Sequence, residues 1–405
     1  MRDSSAKSIS VDALHGLRVV EMGQLIAGPF AGKTLGDFGA QVIKIESPKA
    51  GDPLRNWRKL LKGTSVWWQV QSRNKQSIAI DLQQADGQAL AKRLIDEADV
   101  LIENFRPGTL EAWGMDYATL SQTNPGLIML RISGYGQTGP YRDLPGFGAI
   151  GEAMGGLRHL TGESGRVPVR CGISIGDTLA ALHGTIGVLT ALYHRKVNGG
   201  QGQVIDVALH EAVFNVMESL LPEYSAFGEV REPAGSALPG IAPSNAYRCA
   251  DGVVLIAGNG DSIFKRLMTA LGRADLANDA ALADNAGRVQ RVQEIDAAIE
   301  HWTRERLVHD VLEVMAQAKV PAGRVYTAKD IAQDPHYHAR DMLLSIQTRD
   351  GDTMQVPGIV PKLLGTPGRI RSTAPKLGDD TDAVLTQMGL SAQDIASLRA
   401  KGIVA

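Results

Sequence analysis

Two cysteines in 405 residues, Cys171 and Cys249, cannot make a disulfide framework, and without a CxxC pair no zinc-ligand spacing exists either. Charge of one sign is also missing. The 42 Lys and Arg against 44 Asp and Glu leave a net charge of −2, which recruits neither nucleic acid nor an anionic membrane as partner. Any anion site must therefore come from local basic residues. The polar start, MRDSSAKSISVDALHG, lacks the apolar centre of a secretory leader, and no window is expected to reach the length of a membrane span. A cytoplasmic protein is the simplest expectation. Internal repeats and low-complexity runs are absent too.

What is present, 44% hydrophobic and 21% charged residues, is the composition of a globular protein. At this length one core is outgrown, so two domains are expected. The stretch LRVVEM, then AGPFAGKTLGDFG, then AQVIKIE reads as strand, helix and strand, the unit of a parallel sheet. Glu46, closing the second strand, is where a dinucleotide ribose could be held. The first turn, however, reads GQLIAGP and has no GxGxxG, so a Rossmann-like fold without nicotinamide is expected. Further strands follow in SRNKQSIAIDL, ADVLIENF and NPGLIMLRISGYGQTGP, with a helix from about Ala85 to Glu97. Asn74, Lys75, Asn104, Arg106 and the 134–139 loop are placed at strand ends, where open α/β sheets bind ligands. The predicted fold is thus α/β. A large Rossmann-like domain over 1–225 precedes a smaller α+β domain over 226–325, and a C-terminal segment, 326–405, returns to the first. GGQGQVIDVALHEAVFNVMESLL should give a strand running into a long amphipathic helix.

The chain is organised around VRCGISIGDTLAALHGTIGVLTALYHR, Val169–Arg195, which reads as a central, buried helix opened by a Gly-Asp pair. Ala180, Ala181, Gly184 and Gly187 give it small patches that a neighbour can approach closely. Asp177 has two roles open to it: a helix N-cap, or a carboxylate nucleophile forming a covalent acyl intermediate. The same stretch contains GISIG, the GxSxG pattern of a nucleophile elbow. Ser174 would then be the nucleophile of a serine hydrolase, with Asp334 and His336 or His338 as partners. Against that, GRVPVRC carries Pro and two Arg where an elbow needs a buried apolar strand. Cys171 has no partner His nearby in sequence, and His183 and His194 fit packing or surface roles.

Six segments in order resemble the class III CoA-transferases, the family of formyl-CoA transferase, carnitine CoA-transferase and the succinyl-CoA:dicarboxylate transferases. They are LRVVEMGQLIAGPFAGKTLGDFGAQVIKIESPKAGD, RNKQSIAIDL, VLIENFRPG, ISGYGQTGP, IGDTLAALHGTIGVLTALYHR and VPAGRVYT. The resemblance implies that Asp177 is the catalytic carboxylate, passing through an acyl anhydride and an aspartyl-CoA thioester, with glycine-loop N–H donors close by for each oxyanion. It implies coenzyme A and acyl-CoA as substrates, with no metal and no permanently bound cofactor. It places Ala27, Asn74, Lys75, Asn104 and Phe105 at the CoA. Lys75 and Arg106 then suit its phosphates. Ile26 stands where formyl-CoA transferase has a glutamine, and Ser47 where it has an arginine near the adenine. Gly148 stands in place of a glutamate near the nucleophile, which implies room for an acid larger than formate or oxalate. SALPGIAPS replaces an all-glycine lid. The pattern is nearer the succinyl-CoA-dependent members, with citramalate, itaconate, mesaconate or hydroxymethylglutarate as candidate acceptors. An interlocked homodimer is implied. A racemase-like branch, using an Asp and a His such as His159 as acid and base, is the remaining alternative.

Overall fold

The computed structural model describes residues 11–405. They group into two compact units. One takes the residues up to Arg158, Cys171–Leu221 and His338–Ala405; the other takes His159–Arg170 and Pro222–Tyr337.

The first unit is built on six strands: β1 (Arg18–Glu21), β2 (Gln41–Glu46), β3 (Lys75–Ala79), β4 (Val100–Glu103), β5 (Ile128–Ser133) and β6 (Gln203–Ala208). All pair in parallel, in the order β3-β2-β1-β4-β5-β6. This is the doubly wound order, in which the sheet grows outward from β1 in both directions. A crevice is left where the winding reverses, between the carboxyl ends of β1 and β4. The strands read as near-continuous apolar runs because both faces are covered. Val20, Leu101 and Met129 face one core with Leu90, Leu94 and Ile95 of helix α2 (Ala85–Asp96). Val19, Ile102 and Leu130 face the other, against Ala27, Ala31 and Leu35 of α1 (Ala27–Asp37). The C-terminal chain returns to this sheet, where Thr381 Oγ1 accepts from Ala79 N and Val404 bridges Ile80.

Two more helices complete the second face. After α3 (Gly148–Met154) comes the 23-residue α4 (Ile175–Val197), and α5 (Leu209–Phe214) follows β6 directly. Glycines let α4 lie close on the sheet: a Cβ on Gly184 would come within 2.9 Å of Leu130, and one on Gly187 within 2.9 Å of Ile205 Cγ2. Two expectations are corrected here. By length and composition α4 could cross a membrane, although no such window was expected. It is also buried on one side only, since Leu182, Ile186, Leu189, Tyr193 and Val197 are exposed. The long helix expected after β6 is likewise cut short. It stops at Phe214, and the chain turns through 215–219 with Glu218 at φ +52.

The second unit holds an antiparallel sheet of β7 (Ser244–Cys249), β8 (Gly252–Ala257) and β9 (Ala322–Arg324), with β8 central. Its core joins Tyr247, Val254 and Ile256 to Phe264, Leu267, Ile295, Ile299, Val311 and Met315 from the helices between. The SALPGIAPS segment belongs to this unit and is tied down within it. Buried Arg288 donates to Ala242 O, and Asn285 Nδ2 donates to Gly240 O. Residues 159–170 join the same unit, where Glu163 bridges Ala234.

Candidate active site

Three chain reversals meet at the crevice. Gln24–Ala27 leave β1, Asn104–Pro107 leave β4, and Gly134 follows β5. Together with Arg142, Leu144–Phe147, Leu209 and Asp177, they line a cleft of about 240 Å3.

Asp177 reaches this cleft from the head of α4. Ser174 is the N-cap and Asp177 the third residue of the first turn, so the N-cap role considered for Asp177 is corrected. A carboxylate there is favoured by the positive end of the helix. The side chain is half-buried and open to the cleft. Against it lies Gly148, the first residue of α3. A Cβ on Gly148 would overlap Asp177 Oδ2 and lie 2.7 Å from its Cγ. The Asp177 carboxylate thus occupies the place that a Cβ at 148 would take. Gly148 is therefore required by the carboxylate itself, whatever the size of the acid in the cleft. Gly134 and Gly146 also have to lack side chains, since a Cβ on Gly134 would lie 2.9 Å from Gly146 Cα. Of the loop amides expected near the carboxylate, Gly136 N is already bound to Ser133 Oγ at 3.0 Å and Gln137 N to Asp206 at 2.9 Å.

The remaining predicted residues divide sharply. Ala27 opens α1, is buried, and lines the cleft. Arg106 is exposed on the cleft wall. Phe105 lines the wall while packing edge-on to Trp113 at 5.4 Å. Asn104 lines it as well, but its amide is engaged: Oδ1 accepts from Gln24 N at 2.7 Å and Nδ2 donates to Gln24 O at 2.9 Å. Asn74 and Lys75 do not belong to the site. Lys75 opens β3 and Asn74 precedes it, at the amino end of a strand, whereas the cleft sits at carboxyl ends. Asn74 binds Asp37 and the backbone of Arg369, Arg371 and Ser372. Lys75 is wholly buried, its Nζ held 2.7 Å from Glu21 Oε2 and donating to Pro29 O at 2.7 Å. In this structure both side chains are engaged within the fold and neither lines the cleft that holds Asp177. Arg142 is the cleft cation that sequence inspection missed. Its position in the loop after GQTGP was the available signal.

Beneath the cleft lies a buried ionic cluster. Lys44 Nζ meets Glu21 at 3.0 Å, Asp52 at 2.9 Å and Gly23 O at 2.7 Å, while Arg55 and Ser77 hold Glu46. Three carboxylates face three cations, so the cluster is neutral and its polar atoms are matched. Burial pushes Lys75 down to about 8 despite Glu21. Burial also opposes the charge on Lys44, yet Asp52, Glu21 and Glu46 raise its pKa above the usual lysine value. For Asp52, burial is outweighed by Lys44 and by the N–H groups of Leu54 and Leu25, which hold its carboxyl low. Glu46 is spent inside this cluster, which removes it as a ribose ligand.

Other candidates lack the geometry they need. Residues 167–173 form no strand and Ser174 caps a helix, so GISIG is not a nucleophile elbow. Asp334 accepts from the Tyr326 hydroxyl and from the N–H groups of His336 and Tyr337. His183 lies against Leu179 O and Asn215 Oδ1, and His159 faces Glu232 at 4.0 Å. Among the described residues, no group of three His, Cys, Asp or Glu side chains could hold a metal ion.

The model of CoA-transferase family III matches residues 14–381. The chain belongs to this family. Its similarity to family members extends over nearly its whole length. It is 48% identical to the succinyl-CoA–D-citramalate CoA-transferase of Chloroflexus aurantiacus, over 96% of this chain and 98% of that protein. It is 42% identical to the beta subunit of the succinyl-CoA–L-malate CoA-transferase of the same organism, again over 96% and 98%. The crystal structure of a CAIB/BAIF family protein from Brucella suis superimposes with a TM-score of 0.82 at 35% identity, covering 93% of this chain and 99% of that one. The protein is a CoA-transferase, and CoA thioesters are its substrates.

Proposed function

We propose that this CoA-transferase moves CoA from succinyl-CoA to a small dicarboxylic acid, with Asp177 as the covalent carrier. One observation carries the assignment of Asp177: a half-buried carboxylate at a helix head, open to the cleft at the switch point of the sheet. The substrate class rests on the relatives, which act with succinyl-CoA on citramalate and malate. In the first step an Asp177 oxygen attacks the thioester carbonyl, giving a mixed anhydride and CoA thiolate. The thiolate then attacks the aspartyl carbonyl, releasing succinate and leaving aspartyl-CoA. A carboxylate of the acceptor attacks that thioester in turn, forming a second anhydride. The returning thiolate takes the acyl group as the new acyl-CoA and restores Asp177.

Arg106 is assigned to the CoA phosphates and Arg142 to the second carboxylate of the acceptor. Both guanidinium groups stand on the cleft wall, and a fork of donors suits either anion. Gly134 and Gly146 supply backbone to the same wall, where an oxyanion develops at each step. The exposed apolar ridge of α4 supports a homodimer, the interlocked pair of the family being its proposed form.

Hydroxylamine added during turnover should leave a hydroxamate on the peptide carrying Asp177, visible by mass spectrometry. Asp177→Ala should abolish transfer while CoA still binds, and Ser174→Ala should retain it. Transfer to formate or oxalate with failure on every C4 and C5 dicarboxylate would overturn the substrate assignment.

A further inference from the structure

Leu25 is the anomaly of the cleft wall. Among the described residues seven besides glycine have positive φ, and Leu25, at φ +64, is the one that lines the cleft. The left-handed region crowds the Cβ of an L-residue, and nothing in a leucine side chain compensates by local hydrogen bonding. Such a conformation persists only where the surroundings enforce it.

The enforcement is visible at both edges of the Gln24–Leu25 peptide. On one edge, Leu25 N donates into the Asp52 carboxylate, at 3.1 Å to Oδ1 and 3.2 Å to Oδ2. On the other, Gln24 O accepts from Asn104 Nδ2 at 2.9 Å. The peptide plane therefore cannot flip without breaking bonds on both sides. Asp52 is itself fixed, since its side chain is wholly buried, paired with Lys44 Nζ at 2.9 Å, and accepts from Leu54 N at 2.9 Å. Lys44 in turn donates to Gly23 O at 2.7 Å, one residue before the clamped peptide.

We propose that Asp52 is a positioning residue for acyl-CoA: it holds Leu25 in the left-handed conformation, so the 24–27 wall is formed before substrate arrives. The inference rests on acyl-CoA occupying this cleft. Its physical content is preorganisation, the cost of ordering the wall being met on folding rather than on binding. Asp52 touches no substrate and should act on binding more than on the chemical step.

A mutant cycle with glycine at position 25 separates this role from general support of the fold, because glycine adopts positive φ without help. Releasing one left-handed residue corresponds to about a tenfold effect, so Asp52→Ala should raise KM for acyl-CoA about tenfold with kcat little changed. In the Leu25→Gly background the same Asp52→Ala step should cost less than about threefold. An equal penalty in both backgrounds, or a loss confined to kcat, would overturn the proposal. If Asp52→Ala does not fold, Asn104→Ala releases the other edge of the same peptide and is judged by the same cycle. CoA affinity of the unmodified enzyme, measured by calorimetry with a competing acyl-CoA, separates the two levels. No binding refutes occupancy of the cleft; binding with an additive cycle refutes only the role of Asp52.

Discussion

At the scale of single residues, the contact of Gly148 with Asp177 tests the proposed role of that carboxylate. The carboxylate fills the place a Cβ at 148 would need, so Gly148→Ala must displace either Asp177 or the start of α3. A shift near 1 Å at a reacting group costs about a hundredfold. Steady-state kinetics on Gly148→Ala should show kcat/KM lowered by about that factor with the circular dichroism spectrum retained. Wild-type turnover would count against Asp177 as the reacting group in this position. Glu46 gives a prediction in pH. Burial alone would raise its pKa, but Arg55, Lys44 and Ser77 hold it below 4.5. A native pKa below the unfolded one adds stability that is complete above the unfolded value and is lost as pH falls through the native one. Urea unfolding from about pH 6 to pH 3 should therefore show the advantage of wild type over Glu46→Gln shrinking toward acid. A constant gap would place the native pKa at its ordinary value.

At the scale of elements, α4 does two things with one sequence. Its small-residue face lets Gly184 and Gly187 settle on Leu130 and Ile205, and this fixes where Asp177 projects. Its other face carries Leu182, Ile186, Leu189, Tyr193 and Val197 at spacings of four, three, four and four, a ridge along one side of a helix. Ile186, 62% exposed, lies within that ridge. With the proposed homodimer, Ile186→Glu should shift the mass measured by light scattering from dimer to monomer; an unchanged dimer would move the interface elsewhere, and a monomeric wild type would overturn the homodimer. Small and apolar residues around a helix suggest a buried helix, and from sequence the two faces look alike. What separates them is the sheet, which lies under one face only.

For the whole molecule, the doubly wound order explains why distant segments form one site. Residues 24–27, 104–107 and 133–134 follow three different strands and converge because β1, β4 and β5 are neighbours ending on the same edge. The helix carrying Asp177 packs on that same sheet. The excursion of 159–170 into the second unit has no counterpart in sequence pattern, because it depends on contacts with residues some seventy positions on, Glu163 with Ala234, Gly162 with Gly235 and His159 with Glu232.

The sequence by itself determined the parallel α/β sheet, the family, the nucleophile candidate, and the placing of Ala27, Asn104, Phe105 and Arg106 at one ligand site, all four of which line the cleft. These follow from apolar runs, glycine turns and motif order, which are local along the chain. Only the tertiary structure decided that Lys75 and Asn74 are buried supports, that Gly148 makes way for Asp177, that Arg142 joins the cleft, and that Asp52 clamps Leu25. A lysine reads the same whether it meets a phosphate or a buried glutamate. The choice depends on partners such as Glu21, 54 positions away in sequence, that only the folded sheet brings into contact.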